Sequence, residues 1–240
     1  MKIKVNYVRE KITSNALGVN LITDELVHRL QRKVDFNCFN FRFWPKLPLI
    51  RQLFIYIWLP FNSFIKLRKI SEIIHVSSQG YAHLLHFLPK KRLVLTCCDL
   101  IPFIFKTKKN LWETITLKFT FSGISKAKKI IAISNSTKTD LIKYLQIPAN
   151  KIKVIYPGVD ESFKPFKLKK LNYILYVGAF YPSKNLPSLL KAFSQLSKKL
   201  PQLKLVIVNT KEALPADLIK LIKRLKLEKK LEFTGRVSKN

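Results

Sequence analysis

Short apolar runs, many of them β-branched, alternate along this chain with segments in which apolar residues recur at helical spacing. The strand-like runs Ile3–Val8 and Val34–Phe41 flank Asn15–Leu30, where apolar side chains return every three or four residues. Further strand-like runs are Glu72–Ser77, Arg92–Cys98, Ile130–Ser134 and Ile152–Tyr156. Repeated β-α-β order with buried strands predicts an α/β fold of parallel sheets covered by helices.

A proline- and lysine-rich stretch over residues 157–170 shows no periodicity and is typical of a linker. After it, strand-like runs return at Tyr173–Val177, Lys204–Val208 and Leu231–Thr234, with helical segments at Leu186–Leu200 and Ala216–Leu225. About three strands are fewer than the five or six of a doubly wound lobe. We therefore predict a Rossmann-like lobe over 1–160, a linker over 161–171 and a partial Rossmann-like lobe over 172–240.

Two helical segments of the first lobe contain residues that predict where a helix bends or begins. Apolar residues recur at helical spacing over Ile50–Ile65, and Pro60 lies inside this pattern, so we expect a kink or a split there. Thr137, with Asp140 three residues later, has the pattern of a capping box. This pattern predicts a helix that begins at Thr137 and runs through Leu145.

The net charge narrows the class of partners. The 240 residues include 45 Lys and Arg against 14 Asp and Glu, a formal charge of +31. With 48% hydrophobic and 12% aromatic residues the chain is not a disordered one. A surface this basic attracts polyanions, namely nucleic acid, anionic lipid headgroups or phosphorylated substrates. A lysine excess also follows from an AT-rich genome, and that alternative stays open.

The aromatic stretch Phe41–Lys69 carries basic residues and no acidic ones. A helix with aromatic residues on one face and basic flanks is typical of a membrane interface. The alternative is a helix packed on the sheet. The two interpretations are compatible if the helix docks on the sheet while its flanks meet lipid.

Other sequence patterns argue against several classes of protein, namely secreted, membrane-spanning, disulfide-linked and metal-binding ones. The start of the chain lacks the apolar segment of a signal peptide, and the longest apolar run, Leu53–Phe61, is far below the roughly 20 residues of a membrane-spanning helix. The cysteines Cys38, Cys97 and Cys98 fit neither a disulfide framework nor a metal-binding pair. We expect a cytoplasmic protein with reduced thiols, peripheral to a membrane if it meets one, and no metal site.

Two loops of the first lobe follow strands and are candidates for ligand binding. Gly18 and Val19 stand where a strand turns into a helix, which lets backbone amides approach an anion. Asp99 ends a buried strand, where open α/β sheets bind ligands. For the first loop the alternative is a plain turn, and for Asp99 it is a carboxylate that caps the turn before Pro102.

A third candidate loop opens the second lobe. Gly178, Lys184 and Asn185 lie between a strand and a helix, again in a position that favours an anion at the helix start. A lysine there can supply a point charge to a diphosphate. The alternative is a solvated lysine beside a helix cap.

In their order along the chain, these segments resemble the retaining, nucleotide-sugar-dependent glycosyltransferases of family 4, which have the GT-B type of fold with two Rossmann-like lobes. The similar stretches are Leu17–Asn20, Cys98–Pro102, Ile133–Leu141, Tyr156–Asp160, Tyr176–Asn185 and Phe233–Val237. The likeness covers nearly the whole chain.

The resemblance implies transfer of a sugar from a nucleotide-sugar donor to a hydroxyl of a glycan or lipid-linked acceptor, with no cofactor beyond the donor as co-substrate. It places donor-binding positions on Gly18, Val19, Gly178, Lys184 and Asn185. It implies two catalytic residues: Lys184 would neutralise the leaving diphosphate, and Asp99 would shape the sugar pocket.

The chain also departs from the family pattern. Cys98 stands where the family has histidine, and Ala179 and Ser183 stand where it often has arginine. The paired glutamates of the family's second lobe are absent from the sequence, so we expect a truncated or split enzyme whose second lobe a further polypeptide completes. The alternative is a non-catalytic basic module that binds an anionic membrane surface or nucleic acid. No nucleic-acid-binding motif is present, so we expect no nucleic acid partner.

Overall fold

The computed structural model describes residues 2–10, 19–41, 53–67, 72–105, 110–159, 163–165, 171–235 and 237. The chain divides into two units, Met1–Asp160 and Glu161–Asn240. Each unit contains a parallel sheet with helices, as the α/β prediction requires. The exact bounds of the linker remain a prediction. None of the helices in the described ranges is long and apolar enough to cross a membrane.

The N-terminal unit contains a six-stranded parallel sheet in the order β2-β1-β3-β4-β5-β6. Its strands are β1 (Ile3–Glu10), β2 (Val34–Phe41), β3 (Ile73–Val76), β4 (Leu93–Cys97), β5 (Lys129–Ala132) and β6 (Ile152–Val154). Its α-helices are α1 (Val19–Leu30), α2 (Leu59–Leu67), α3 (Ile101–Ile104), α4 (Leu111–Ser122) and α5 (Asn135–Leu145). Short 3₁₀ segments are Gln79–His86, Lys90–Arg92, Gly123–Lys126 and Ala149–Lys151.

This strand order covers both faces of the N-terminal sheet. The chain steps from β1 to β2 on one side and then returns past β1 to β3, so right-handed crossovers place helices on opposite faces. In β3, the consecutive residues Ile74, His75 and Val76 are all buried, although their side chains point alternately to the two faces. The reversal of direction between β1 and β3 is the point at which open α/β sheets bind ligands.

Two 3₁₀ segments of the N-terminal unit approach each other closely at Gly123. A Cβ atom on Gly123 would lie 2.0 Å from the backbone oxygen of Ala82 and 2.6 Å from its carbonyl carbon. Both residues are buried. Only glycine fits at this contact.

Pro60 does not end the predicted helix. Within the described residues, Leu53 is helical and leads into a π turn, Phe54–Trp58, in which the N–H of Leu59 donates to the carbonyl oxygen of Phe54, five residues back. It continues as α2 with Pro60 at its second residue and buried. The wider turn changes the hydrogen-bond pairing just before Pro60, so a proline without an N–H is accommodated and the predicted split does not occur.

Two helix starts differ from the sequence-based predictions. The capping residue of α5 is Ser134, whose Oγ accepts the N–H of Thr137 at 3.0 Å, so the predicted capping box at Thr137 is wrong. The sequence analysis did not predict α4. This helix begins with a true capping box, in which Asn110 Oδ1 accepts the N–H of Glu113 at 2.7 Å and Glu113 Oε2 accepts the N–H of Asn110 at 3.2 Å.

The C-terminal unit contains a three-stranded parallel sheet in the order β7-β8-β9. Its elements are β7 (Tyr173–Val177), α6 (Leu186–Lys199), β8 (Lys204–Val208), α7 (Ala216–Arg224) and β9 (Leu231–Phe233). The chain moves in one direction across this sheet, so both right-handed crossovers lie on the same face. Leu190 and Phe193 of α6 form one buried cluster with Leu218 of α7 and with Leu205 and Ile207 of β8.

The other face of the C-terminal sheet is open. Tyr173, Leu175 and Val177 point to it from β7 and are 42%, 52% and 69% exposed. Lys204 of β8 and Glu232 of β9 form an ion pair, and their strand positions place both residues on this open face. Apolar strand residues on an open face are unusual in a parallel sheet, whose two faces are normally covered.

Candidate active site

Hydrogen bonds from two other elements fix the chain where β4 ends. The N–H of Cys98 donates to Gln79 Oε1 at 3.0 Å, and Thr137 Oγ1 donates to the carbonyl oxygen of Cys98 at 2.8 Å. Gln79 begins a 3₁₀ segment that follows β3, and Thr137 lies in the first turn of α5. The carboxyl end of β4 is therefore held rigidly between two neighbouring loops.

Asp99 follows this fixed residue directly and is half-buried. Its Oδ1 accepts the N–H of Ile101 at 3.0 Å, so the carboxylate caps the turn that leads into α3. One oxygen of the Asp99 carboxylate therefore caps the turn before Pro102, as the alternative interpretation of this residue predicted. The position of Asp99 at the carboxyl edge of a parallel sheet is also where such sheets bind ligands. A role in a sugar pocket remains a prediction.

The two cysteines at this edge are protonated thiols near neutral pH. Burial, together with the nearby Asp99 carboxylate, raises the pKa of Cys98 to about 11. Burial raises the pKa of Cys97 further. Thiolate chemistry requires a lowered pKa, so neither cysteine is placed as a nucleophile. Within the described ranges no three His, Cys, Asp or Glu side chains are grouped so that they could hold a metal ion.

His75 supports the same edge from within the sheet. Its Nε2 lies 2.9 Å from Thr96 Oγ1 on the neighbouring strand, and its ring centroid is 4.8 Å from that of Tyr7. Burial lowers the pKa of His75 to about 4, so the ring is neutral near pH 7. The histidine joins β1, β3 and β4 through neutral contacts and adds no charge to the edge.

The first predicted loop is only partly described. Gly18 lies outside the described residues, and Val19 is the first residue of α1. An ion pair between Arg9 at the end of β1 and Asp24 in the second turn of α1 joins the two elements. This contact holds the second turn of α1 near the carboxyl edge of the sheet, and the anion-binding role of Gly18 and Val19 remains a prediction.

The loop after β7 lies at the carboxyl edge of the C-terminal sheet. The carbonyl oxygen of Gly178 accepts a hydrogen bond from Asn209 Nδ2 at 3.3 Å, and the hydroxyl of Tyr176 donates to the carbonyl oxygen of Ala179 at 2.9 Å. Asn209 follows β8 directly. These two bonds fix the first part of the loop against its neighbour.

Lys184 and Asn185 occupy the second part of this loop and are both exposed. A single 3₁₀ turn, Pro182–Lys184, leads to Asn185 in the left-handed conformation (φ 49°, ψ 40°), and α6 begins at the next residue. The Asn185 side chain makes no capping hydrogen bond to the helix. The positive end of this 14-residue helix therefore has no side-chain cap, and an exposed lysine precedes it by two residues. This arrangement suits an anionic group such as a diphosphate.

Sequence reasoning did not identify the side chains that hold these loops. Gln79, Thr137 and Asn209 bond to residues 19, 39 and 31 positions away. The sequence carries only a weak signal for these contacts, namely that Asn209 has a side-chain amide and directly follows a strand. The structure places Asp99 on the N-terminal unit and Gly178, Lys184 and Asn185 on the C-terminal unit.

Comparison with known proteins shows the family. The sequence profile of Glycosyltransferase Family 4 matches residues 18–163, and that of Glycosyl transferases group 1 matches residues 159–240. A curated relative is the O-antigen chain mannosyltransferase RfbU of Salmonella typhimurium, 26% identical over 188 residues, which cover 77% of this chain and 51% of RfbU. The chain therefore spans about half the length of the curated relative that it matches.

Solved structures share the fold. The apo form of the lipopolysaccharide outer core galactosyltransferase WaaB matches with a TM-score of 0.61 at 15% identity, over 98% of this chain and 69% of WaaB. The apo structure of OtsA matches with a TM-score of 0.61 at 11% identity, over 100% of this chain and 74% of OtsA. A glycosyltransferase from Rickettsia africae matches with a TM-score of 0.52 at 18% identity, over 99% of this chain and 69% of that one. These matches confirm the predicted GT-B-like α/β fold, and because the first profile alone covers more than half of the residues, this chain belongs to glycosyltransferase family 4.

Proposed function

We propose that this chain acts in the transfer of a sugar from a nucleotide-sugar donor to a hydroxyl of a glycan or lipid-linked acceptor, with retention of configuration at the anomeric carbon. Family membership supports sugar transfer. RfbU is named a mannosyltransferase and WaaB a lipopolysaccharide galactosyltransferase. Two other proteins with this fold, TarM and the pneumococcal O-GlcNAc transferase GtfA, were solved with UDP.

The observation that carries the proposal is the exposed Lys184 beside the open start of α6. When the bond between the anomeric carbon and the diphosphate breaks, negative charge develops on the leaving diphosphate. A fixed ammonium group and the positive end of a helix stabilise that charge more in the transition state than in the bound donor. We also assign Gly178 and Asn185, which lie in the same loop, to the donor diphosphate.

In the N-terminal unit, we assign the backbone at Gly18 and Val19 to the donor phosphates and Asp99 to the sugar pocket. Oδ1 of Asp99 already accepts the N–H of Ile101. The second carboxylate oxygen is the atom that we assign to a sugar hydroxyl. Since the first oxygen fixes the side chain, the second would act without a large loss of side-chain entropy on binding.

We infer that the C-terminal unit acts with further polypeptide, in the same or a separate chain. The open sheet face with Leu175 and Val177 supports this, because parallel sheets are normally covered on both faces. The relatives are also longer than this chain. Efficient sugar transfer by the purified 240-residue chain alone would contradict this inference.

The proposed role of Lys184 is tested by replacing it with glutamine and measuring release of nucleoside diphosphate from nucleotide-sugars in the presence of acceptor. We expect kcat to fall by about a hundredfold, because the positive charge that stabilises the leaving diphosphate is lost. Lys191→Gln is the matched control, because Lys191 is an equally exposed lysine of α6. Equal rates for the two variants, under conditions in which the unchanged chain releases nucleoside diphosphate, would contradict the proposal.

A further inference from the structure

Two neighbouring helices of the N-terminal unit share an exposed face that we call the apolar surface. Its members are Ile57, Phe61 and Ile65 on the π turn and α2, and Leu111, Trp112 and Ile115 on α4. Ile57, Phe61 and Ile65 are spaced four residues apart and so lie on one side of their helix. Leu111 and Ile115 have the same spacing, and Trp112 lies three residues before Ile115.

A direct contact holds the two helices side by side. The hydroxyl of Tyr56 lies 3.2 Å from Thr120 Oγ1, and the Tyr56 ring centroid is 6.5 Å from that of Phe119. Phe119 continues the line of Ile115 on α4, since it lies one turn further along. The contact of Tyr56 with Phe119 therefore joins the two helices that carry these apolar lines.

The members of the apolar surface are strongly exposed. On the first helix Ile57, Phe61 and Ile65 are 62%, 64% and 50% exposed. On α4, Leu111, Trp112 and Ile115 are 77%, 54% and 49% exposed.

The inward side of α2 contains the buried residues Leu59, Ser63 and Leu67, so the helix has apolar residues on both its inward and its exposed side. A surface helix normally has its polar face toward water, and a large exposed apolar patch marks a site of interaction.

Basic residues accompany this surface. Lys66 lies on α2 and Lys118 on α4, both exposed. The basic segment Lys90–Arg92 follows Phe87, whose ring centroid is 6.5 Å from that of Phe119. The acidic residue of α4, Glu113, accepts the N–H of its own capping residue, Asn110. Aromatic and aliphatic side chains among cationic ones match the boundary between the headgroups and acyl chains of an anionic bilayer.

We propose that the apolar surface docks on an anionic lipid bilayer. The charge of the chain, +31, excludes a cationic partner and is complementary to anionic headgroups. A nucleic acid would meet the lysines but would leave Ile57, Phe61 and Ile115 in water. A bilayer takes up both kinds of side chain, and the two tryptophans Trp58 and Trp112 suit its interface. The proposal does not depend on the proposed transfer activity.

Vesicle co-sedimentation of the whole 240-residue chain tests the docking. We expect binding to vesicles of equal parts phosphatidylcholine and phosphatidylglycerol, weakening as salt rises, and little binding to phosphatidylcholine alone. The double variant Phe61→Ser/Ile115→Ser should bind about tenfold more weakly or worse. Ile142→Ser is the matched control, because Ile142 is an exposed isoleucine of α5. The control should bind like the unchanged chain.

Several results would overturn the proposal. Absence of binding to the anionic vesicles, or equal binding by the double variant, would do so. Sedimentation velocity gives a further outcome. If the unchanged chain is a dimer, the double variant is a monomer and neither binds vesicles, the apolar surface is assigned to contact with a second copy of the chain. If the unchanged chain and the double variant both bind duplex DNA and neither binds vesicles, the basic residues are assigned to contact with nucleic acid.

Tryptophan fluorescence provides a readout that leaves every residue of the apolar surface unchanged. In a Trp44→Phe background, the remaining tryptophans are Trp58 and Trp112. Lipids brominated in the acyl chain should quench their emission when the vesicles are anionic, because both rings enter the interface. Unquenched emission while the protein is bound to the vesicles would show that another face touches the lipid, and would overturn the proposal.

Discussion

The two sheets of this chain are built from the same β-α-β unit but bury their faces differently. In the N-terminal sheet the strand order reverses at β1, helices cover both faces and three consecutive residues of β3 are buried. In the C-terminal sheet the order β7-β8-β9 runs one way, both helices share one face, and alternate residues of β7 are exposed. In this chain the free apolar face therefore lies on the sheet whose strand order runs one way, with both crossovers on the other face.

The largest expected effect concerns the close contact inside the N-terminal unit. Gly123→Ala would place a Cβ atom 2.0 Å from a backbone oxygen, which neither segment can avoid without moving. We expect a loss of more than about 3 kcal/mol in the free energy of unfolding. Urea unfolding followed by tryptophan fluorescence measures it, since all three tryptophans lie in the N-terminal unit.

Gly158→Ala is the control for this substitution, because a Cβ atom there would meet nothing within 4 Å. Its stability should match that of the unchanged chain. A Gly123→Ala protein of equal stability would contradict the described packing of the two 3₁₀ segments.

The next effect separates the two faces of the C-terminal sheet. Leu205 points to the covered face and is fully buried, whereas Leu175 points to the open face and is about half exposed. Leu205→Ala should lower the free energy of unfolding by about 3 kcal/mol. Leu175→Ala should change it by less than about 0.5 kcal/mol.

Hydrogen exchange of residues 171–235 in the two leucine variants measures this difference. Similar losses for both variants would show that Leu175 is also covered, and the contrast between the two sheets would fail.

A smaller effect follows from acidification, which should weaken the N-terminal unit alone. All four histidines lie there, and burial lowers the pKa values of His75 and His83 to about 4. Between pH 4 and 6.5 the unfolded chain therefore binds protons that the folded chain does not, so stability falls as the pH falls through this range. From pH 7 to pH 5 the loss should be roughly 2 kcal/mol per histidine.

Urea unfolding at a series of pH values, followed by tryptophan fluorescence, checks this slope. In His83→Phe the slope should be reduced by about half, whatever the absolute stability of the variant. His83 donates from Nε2 to the carbonyl oxygen of Ile55 at 3.0 Å. An unchanged slope would mean that His83 is not a buried neutral ring in the folded chain.

Much of the fold follows from local sequence patterns. The strands Tyr173–Val177 and Lys204–Val208 have the predicted bounds, because each is an apolar run between turn-forming residues. Helix α4 was missed because most of its apolar residues face outward and only Leu117 and Phe121 pack on the core, although the pair Asn110 and Glu113 signals its start. The helix continues through Pro60 without the expected split because a π turn before it changes the hydrogen-bond pairing.

The candidate site is predictable only in part. Asp99 and Lys184 could be found because each follows a strand, where parallel sheets bind ligands. The side chains that fix their loops, Gln79, Thr137 and Asn209, come from distant parts of the chain. Their roles depend on the packing of neighbouring strands, which no local pattern records.

The most direct test of the proposed function is hydrogen–deuterium exchange with and without a nucleoside diphosphate. We predict that the ligand slows exchange at the backbone amides of residues 178–190, around Lys184 and the start of α6, and that Lys184→Gln weakens this protection while Lys191→Gln does not. Protection confined to other parts of the chain, or equal protection in both variants, would contradict the assignment of the diphosphate to this loop.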